Sequence, residues 1–142
     1  MTVQKHVDLS KVLFYRIGGT ARYLLEAKSV RDILEAFSFL KEKNISNFLV
    51  VGLGSNLLMP DTPFDGAIIW INKNDTPDIS VTPEGHITAY AGQSLDDLIR
   101  FSFDNEFVGL ESLGGLPSTV GGAIRGNAGA FGTEVKDVLI SA

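Results

Sequence analysis

The chain has 142 residues, a formal net charge of -5 and 44% hydrophobic residues, which suits one ordinary domain with a real core. Its acidic balance and scattered lysines and arginines exclude a nucleic-acid surface. The lack of cysteine excludes disulfides, thiolate metal sites and a cysteine nucleophile, and fits a reducing, cytoplasmic setting.

The first residues, MTVQKHVDLSKV, hold no long apolar run, so neither a signal peptide nor a membrane span is expected. Residues 1–14 read as a polar docking arm or a frayed end. A tight turn follows at Gly18-Gly19, then a short strand over Arg22–Ala27. Ser29 is a good N-cap with Asp32 three residues on, and Val30, Ile33, Leu34, Phe37 and Leu40 recur as one buried helical stripe. Asn44 offers a left-handed stop. Asn47–Val51 is continuously apolar, as expected of a strand covered on both faces. Strand, helix, strand makes a βαβ unit.

Its second strand runs into Gly52-Leu53-Gly54-Ser55-Asn56. A loop at the carboxyl end of a parallel strand is where open α/β sheets bind ligands. Successive N–H groups there can form an anion nest, with the Ser55 and Asn56 side chains adding hydrogen bonds. Leu57 stands where a dinucleotide-binding fingerprint has its third glycine, and Pro60 interrupts any helix, so that fingerprint is rejected. The loop is read as a phosphate loop, the plainer alternative being an ordinary βα turn.

Asp61–Gly66 reads as a turn, Ala67–Ile71 as a strand and Asn72–Pro77 as a loop. Ile79–Thr82 and His86–Ala91 form a hairpin around Pro83-Glu84-Gly85. Ser94, with Asp97, caps a second helix whose inner face carries Leu95, Leu98, Ile99 and Ser102. Gly109 to Gly132 then gathers eight of the fifteen glycines among apolar residues. Such a stretch is ordered rather than a linker, and is either a ligand cradle or a tight packing corner. Asp137–Ala142 reads as the start of a strand whose partners lie further along a longer chain.

No catalytic acid, base, nucleophile or metal cluster stands out. His6 and His86 lack triad partners, and Asp96 and Asp97 are explained by capping. Arg125 faces either a phosphate or solvent.

Four segments taken together, Tyr15–Ala21 (YRIGGTA), Val51–Leu58 (VGLGSNLL), Gly109–Ala123 (GLESLGGLPSTVGGA) and Asn127–Glu134 (NAGAFGTE), resemble in order and spacing the UDP-N-acetylenolpyruvoylglucosamine reductase family of flavoproteins. These enzymes serve peptidoglycan precursor synthesis, and hence cell wall biogenesis, cell shape and cell division. The likeness runs from about Leu13 to the end of the chain. It implies an α+β, two-lobed FAD-binding domain of the vanillyl-alcohol oxidase type, with a βαβ lobe over 1–72 and a mixed-sheet lobe over 73–142, the second incomplete. FAD would lie between the lobes. Carried over by motif, Gly52, Gly54, Ser55, Asn56 and Leu57 would form one wall of its site. Pro117, Ser118, Thr119, Gly121, Gly122, Asn127 and Gly129 would form the other.

The resemblance further implies NADPH as hydride donor and UDP-N-acetylglucosamine enolpyruvate as substrate. Family members are considerably longer, and their catalytic arginine, glutamate and serine or cysteine lie downstream, as does the substrate domain. The expectation is therefore a truncated FAD-binding portion, inactive alone, with the C-terminal remainder of the enzyme as its partner. The alternatives are a free-standing flavin-binding or regulatory module and another oxidoreductase of the vanillyl-alcohol oxidase class.

Overall fold

A computed structural model of the chain describes residues 1–72 and 78–142. The expected loop at Asn72–Pro77 lies outside the described residues apart from Asn72. Backbone contacts divide the chain into two compact units, Met1–Asn72 and Lys73–Ala142.

The first unit is built on a four-stranded mixed sheet of order β1-β2-β4-β3. The polar start of the chain is not a loose arm: β1 (Thr2–Asp8) pairs antiparallel with β2 (Thr20–Ala27), Thr2 opposite Glu26 and Asp8 opposite Thr20. Most β1 side chains are exposed, so the strand is held by its backbone ladder and leaves no apolar period to read. Strand β4 (Phe64–Ile71) runs parallel to β2 on one side and to β3 (Phe48–Val51) on the other. The two strands joined by the first helix are therefore not neighbours, because β4 lies between them.

Gly66 to Ile69 of β4 are all buried, whereas Phe48 and Val50 of β3 are exposed. The doubly covered strand is thus β4, and β3 is an edge. Leu24 and Ile68 join Leu9, Leu13, Ala21, Val51 and Met59 in a core cluster. Leu25 and Ile69 are their sequence neighbours and are fully buried on the other face.

Helix α1 (Val30–Glu42) starts at Ser29, whose Oγ accepts the Asp32 N–H at 3.1 Å, and stops at Asn44, which has φ 53°. It packs on β2 and β4, with Tyr23 and Phe39 in edge-to-face contact. Ala36 and Leu40 are buried, but Val30 and Leu34 are 66% and 64% exposed. The five-residue apolar stripe is wider than the strip of helix the sheet covers, so the helix seats on Ile33, Ala36 and Leu40 and leaves one flank open.

In the second unit β5 (Ile79–Val81) and β6 (Ile87–Ala89) form the expected antiparallel hairpin. Helix α2 (Leu95–Asp104) is capped by Ser94, whose Oγ accepts the Asp97 N–H at 3.4 Å. The glycine-rich stretch contains a helix, α3 (Val120–Gly126), then the minimal hairpin of β7 (Gly129–Ala130) and β8 (Thr133–Glu134). Leu95, Ile99, Leu113, Ala123 and Val135 form the core here. The strand expected over 137–142 is absent among the described residues. Val135–Asp137 is a single tight helical turn, and residues 139–142 have no regular structure. An apolar run supplies strand propensity, but a strand also needs a ladder partner, and none pairs with this segment. The architecture is α+β.

Candidate cofactor cradle

The loop Gly52–Asn56 leaves β3 at the carboxyl end of the parallel strands β2, β3 and β4. Its backbone is unusual in one respect. Among the described residues, the N–H groups of Gly52, Leu53, Gly54, Ser55 and Asn56 have no hydrogen-bond acceptor. Five successive N–H groups without a protein acceptor on a part-exposed loop are open to water or to an anion. Gly54 has φ +74°, and a Cβ there would meet Leu13 Cδ2 at 2.7 Å. The positive φ favours glycine here, and a Cβ would also push the Leu13 side chain aside. No charged residue occurs between Lys43 and Asp61, so no local carboxylate opposes an anion. Leu57 contributes differently: its side chain packs against the first unit's core.

The second predicted wall is built another way. Ser118 O accepts the Leu95 N–H at 2.9 Å, Val120 N–H donates to Gln93 O at 2.8 Å and Gly121 N–H to Ala91 O at 2.8 Å. Thr119 Oγ1 accepts the Gly122 N–H at 3.2 Å as the N-cap of α3, and Ser118 Oγ donates to Thr119 O at 2.9 Å. The first turn of α3 is therefore satisfied within the unit. The donors left open are the N–H groups of Ser118 and Thr119, next to exposed Pro117.

A Cβ on Gly121 would lie 2.8 Å from Ala91 Cβ, so close backbone packing accounts for that glycine, whereas one on Gly122 would meet only hydroxyl oxygens at 3.1 Å. Asn127 ends α3 in the left-handed region at φ 43°. Its Nδ2 donates to Glu134 Oε2 at 2.9 Å and its Oδ1 accepts the Lys136 N–H at 3.0 Å. Lys136 and Asn127 together hold the Glu134 carboxyl below its ordinary pKa. Gly129 sits opposite Glu134 in β7–β8, where a Cβ would be 2.9 Å from Glu134 Cγ. A cleft of about 500 Å³ in this unit, walled by residues such as Leu98, Val120, Ile124 and Ile140, is lined by none of the predicted site residues.

The two stretches thus differ in the backbone donors they leave open among the described residues. The first leaves five successive N–H groups. The second spends most of its own on Gln93, Ala91 and Thr119 and leaves two. What the sequence reading missed was α3 itself, although Thr119, then Val120, Ala123 and Ile124, then Asn127 spell cap, apolar face and stop. Glycines 121, 122 and 126 hid it by lowering helix propensity. None of the predicted site residues carries a side chain that is charged near neutral pH, so they offer amide dipoles and hydroxyls rather than a fixed charge. Among the described residues no cluster of histidines and carboxylates could hold a metal, and no helix is long and apolar enough to cross a membrane.

The family described as FAD binding domain matches residues 21–142. The chain belongs to this FAD-binding domain family. The domain is 41% identical over 135 residues to UDP-N-acetylenolpyruvoylglucosamine reductase of Caldicellulosiruptor saccharolyticus, a match covering 95% of the chain and 42% of the relative. The enzyme of that name from Carboxydothermus hydrogenoformans is 40% identical over 137 residues, covering 96% of the chain and 44% of the relative. The crystal structure of UDP-N-acetylenolpyruvylglucosamine reductase from Thermus caldophilus superposes with a TM-score of 0.71 at 27% identity, over 94% of the chain and 45% of that structure. The resemblance read from the four segments therefore holds along the FAD-binding domain. The chain spans less than half the length of these relatives.

Proposed function

We propose that this chain is the FAD-binding portion of a UDP-N-acetylenolpyruvoylglucosamine reductase, with Gly52, Gly54, Ser55, Asn56 and Leu57 as the principal cradle of the cofactor. The observation that carries the reading is the run of five open N–H groups from Gly52 to Asn56. A diphosphate needs backbone donors and close backbone approach more than matched side-chain charge, and this loop has five open N–H groups and two glycines. Pro117, Ser118, Thr119, Gly121 and Gly122 add a smaller contribution through the open N–H groups of Ser118 and Thr119. Asn127 and Gly129 act by holding the end of α3 and the β7–β8 hairpin in place.

Residues 1–72 and 73–142 are the two lobes of the cofactor domain, and the substrate domain belongs to the part of the relatives outside the match. Bound FAD would supply hydride taken from NADPH to the enolpyruvyl double bond of UDP-N-acetylglucosamine enolpyruvate, and a proton from the remainder of the enzyme would complete UDP-N-acetylmuramate for peptidoglycan. The chain's own part is to bind and orient, the proton-transfer groups of the family lying in the part of the relatives outside the match. It works in the cytoplasm with the C-terminal remainder of the enzyme and is inactive alone. The test is the purified chain. A flavin absorbance band after incubation with FAD and gel filtration is expected, with no sustained NADPH consumption when the UDP-sugar ether is added. Absence of any flavin binding would defeat the reading, and coupled turnover would defeat its claim of inactivity.

A further inference from the structure

We propose that Arg16 is a further cofactor-binding residue of the first unit, its guanidinium pairing with a phosphate of the dinucleotide cradled by Gly52–Asn56. The inference rests on the proposed FAD site and adds to it a residue from a different loop. The segment between β1 and β2 touches the cradle loop at Leu53 and Gly54, and the chain beyond it at Pro60–Thr62. Phe14 N–H donates to Leu53 O at 3.1 Å, and the Leu13 side chain fills the space where Gly54 would carry a Cβ. Gly19 N–H donates to Pro60 O at 2.8 Å, and a Cβ on Gly19 would collide with Asp61 O and Thr62 O at 2.5 Å. These contacts fix the Leu13–Arg16 turn against the donor-rich backbone.

The turn closes with Arg16 N–H donating to Leu13 O at 3.0 Å, and at its tip Phe14 and Tyr15 meet edge to face with ring centroids 5.7 Å apart. Arg16 is held by the turn at φ +55°, a conformation an L residue adopts at a cost. Arg22 and Arg31 pair with Asp65 and Glu35, but among the described residues Arg16 has no carboxylate or ring partner. No acidic residue occurs from Leu9 to Thr20 or from Asn44 to Pro60, so neither loop supplies one. An exposed guanidinium, unpartnered among the described residues, on a turn that touches Leu53 and Gly54 would complete an anion site there: the amides supply dipoles, and the arginine supplies a full charge and a fork matched to phosphate oxygens.

The experiment is a fluorescence titration of the whole chain with FAD and, separately, with riboflavin, which has the ring system but no phosphate. Arg16→Ala should weaken FAD binding about tenfold, the scale of one charge-assisted hydrogen bond, and leave riboflavin unchanged. Arg16→Lys should restore part of the loss, and added salt should narrow the gap between wild type and Arg16→Ala. Thermal melts of each variant confirm that the exposed substitution leaves the fold intact. Equal FAD affinity in wild type and Arg16→Ala, or an equal loss for riboflavin, overturns the assignment of Arg16 alone. A wild-type chain that binds no FAD overturns the functional reading and this inference with it.

Discussion

Glycine carries several distinct jobs in this chain, and its neighbours tell them apart. At Gly121 a Cβ would stand 2.8 Å from Ala91 Cβ and 3.1 Å from Ala91 O, in a segment whose N–H is already bonded to that oxygen. Substituting Gly121→Ala should therefore cost about 1–3 kcal/mol through overpacking. Gly126, the last residue of α3, has no heavy atom within 4 Å of its would-be Cβ. Gly126→Ala should instead stabilise the domain by about 0.5–1 kcal/mol, since it removes only the freedom of the unfolded chain. Urea unfolding of the two variants should show opposite signs, and a shared sign would contradict the assignment. Sequence alone counts both as members of one glycine cluster. The distinction lies in residue 91, which no local pattern connects to residue 121.

The elements were legible where their signal is local. Ser29 and Ser94 announced α1 and α2 through caps that need only three residues to act, and the 83–85 turn announced its hairpin. They were illegible where the signal is a partner distant in sequence. β1 is polar and held by its ladder with β2, and β3 reads like a central strand yet lies at the edge because the richer β4 takes the middle.

One link between these elements is testable by pH. Asp32, in the first turn of α1, accepts from the Met1 ammonium and from the Lys28 N–H, and these hold its pKa down from 3.8 to about 2. The folded state binds this proton less tightly than the unfolded chain. The stabilisation is thus complete above 3.8 and fades as pH falls toward about 2. Across that window the melting temperature of wild type should fall more steeply than that of Asp32→Asn. Parallel slopes would show that the link between Met1 and α1 contributes nothing.

At the scale of the whole molecule, the FAD-binding domain family and the α+β architecture could be read from four short segments because glycine-rich loops encode backbone shape directly in residue type. The division of labour between those loops could not be read, since it depends on which N–H groups the fold itself consumes. Gly52–Asn56 leaves its donors open, and the first turn of α3 spends its own on Ala91, Gln93 and Thr119. That asymmetry is the core of the account, and amide NMR of the labelled chain titrated with FAD addresses it directly. The resonances of residues 52–56 should shift most on binding, and those of Gly121, Gly122 and Ala123 should move little. Large shifts at 121–123 with residues 52–56 unmoved would contradict it.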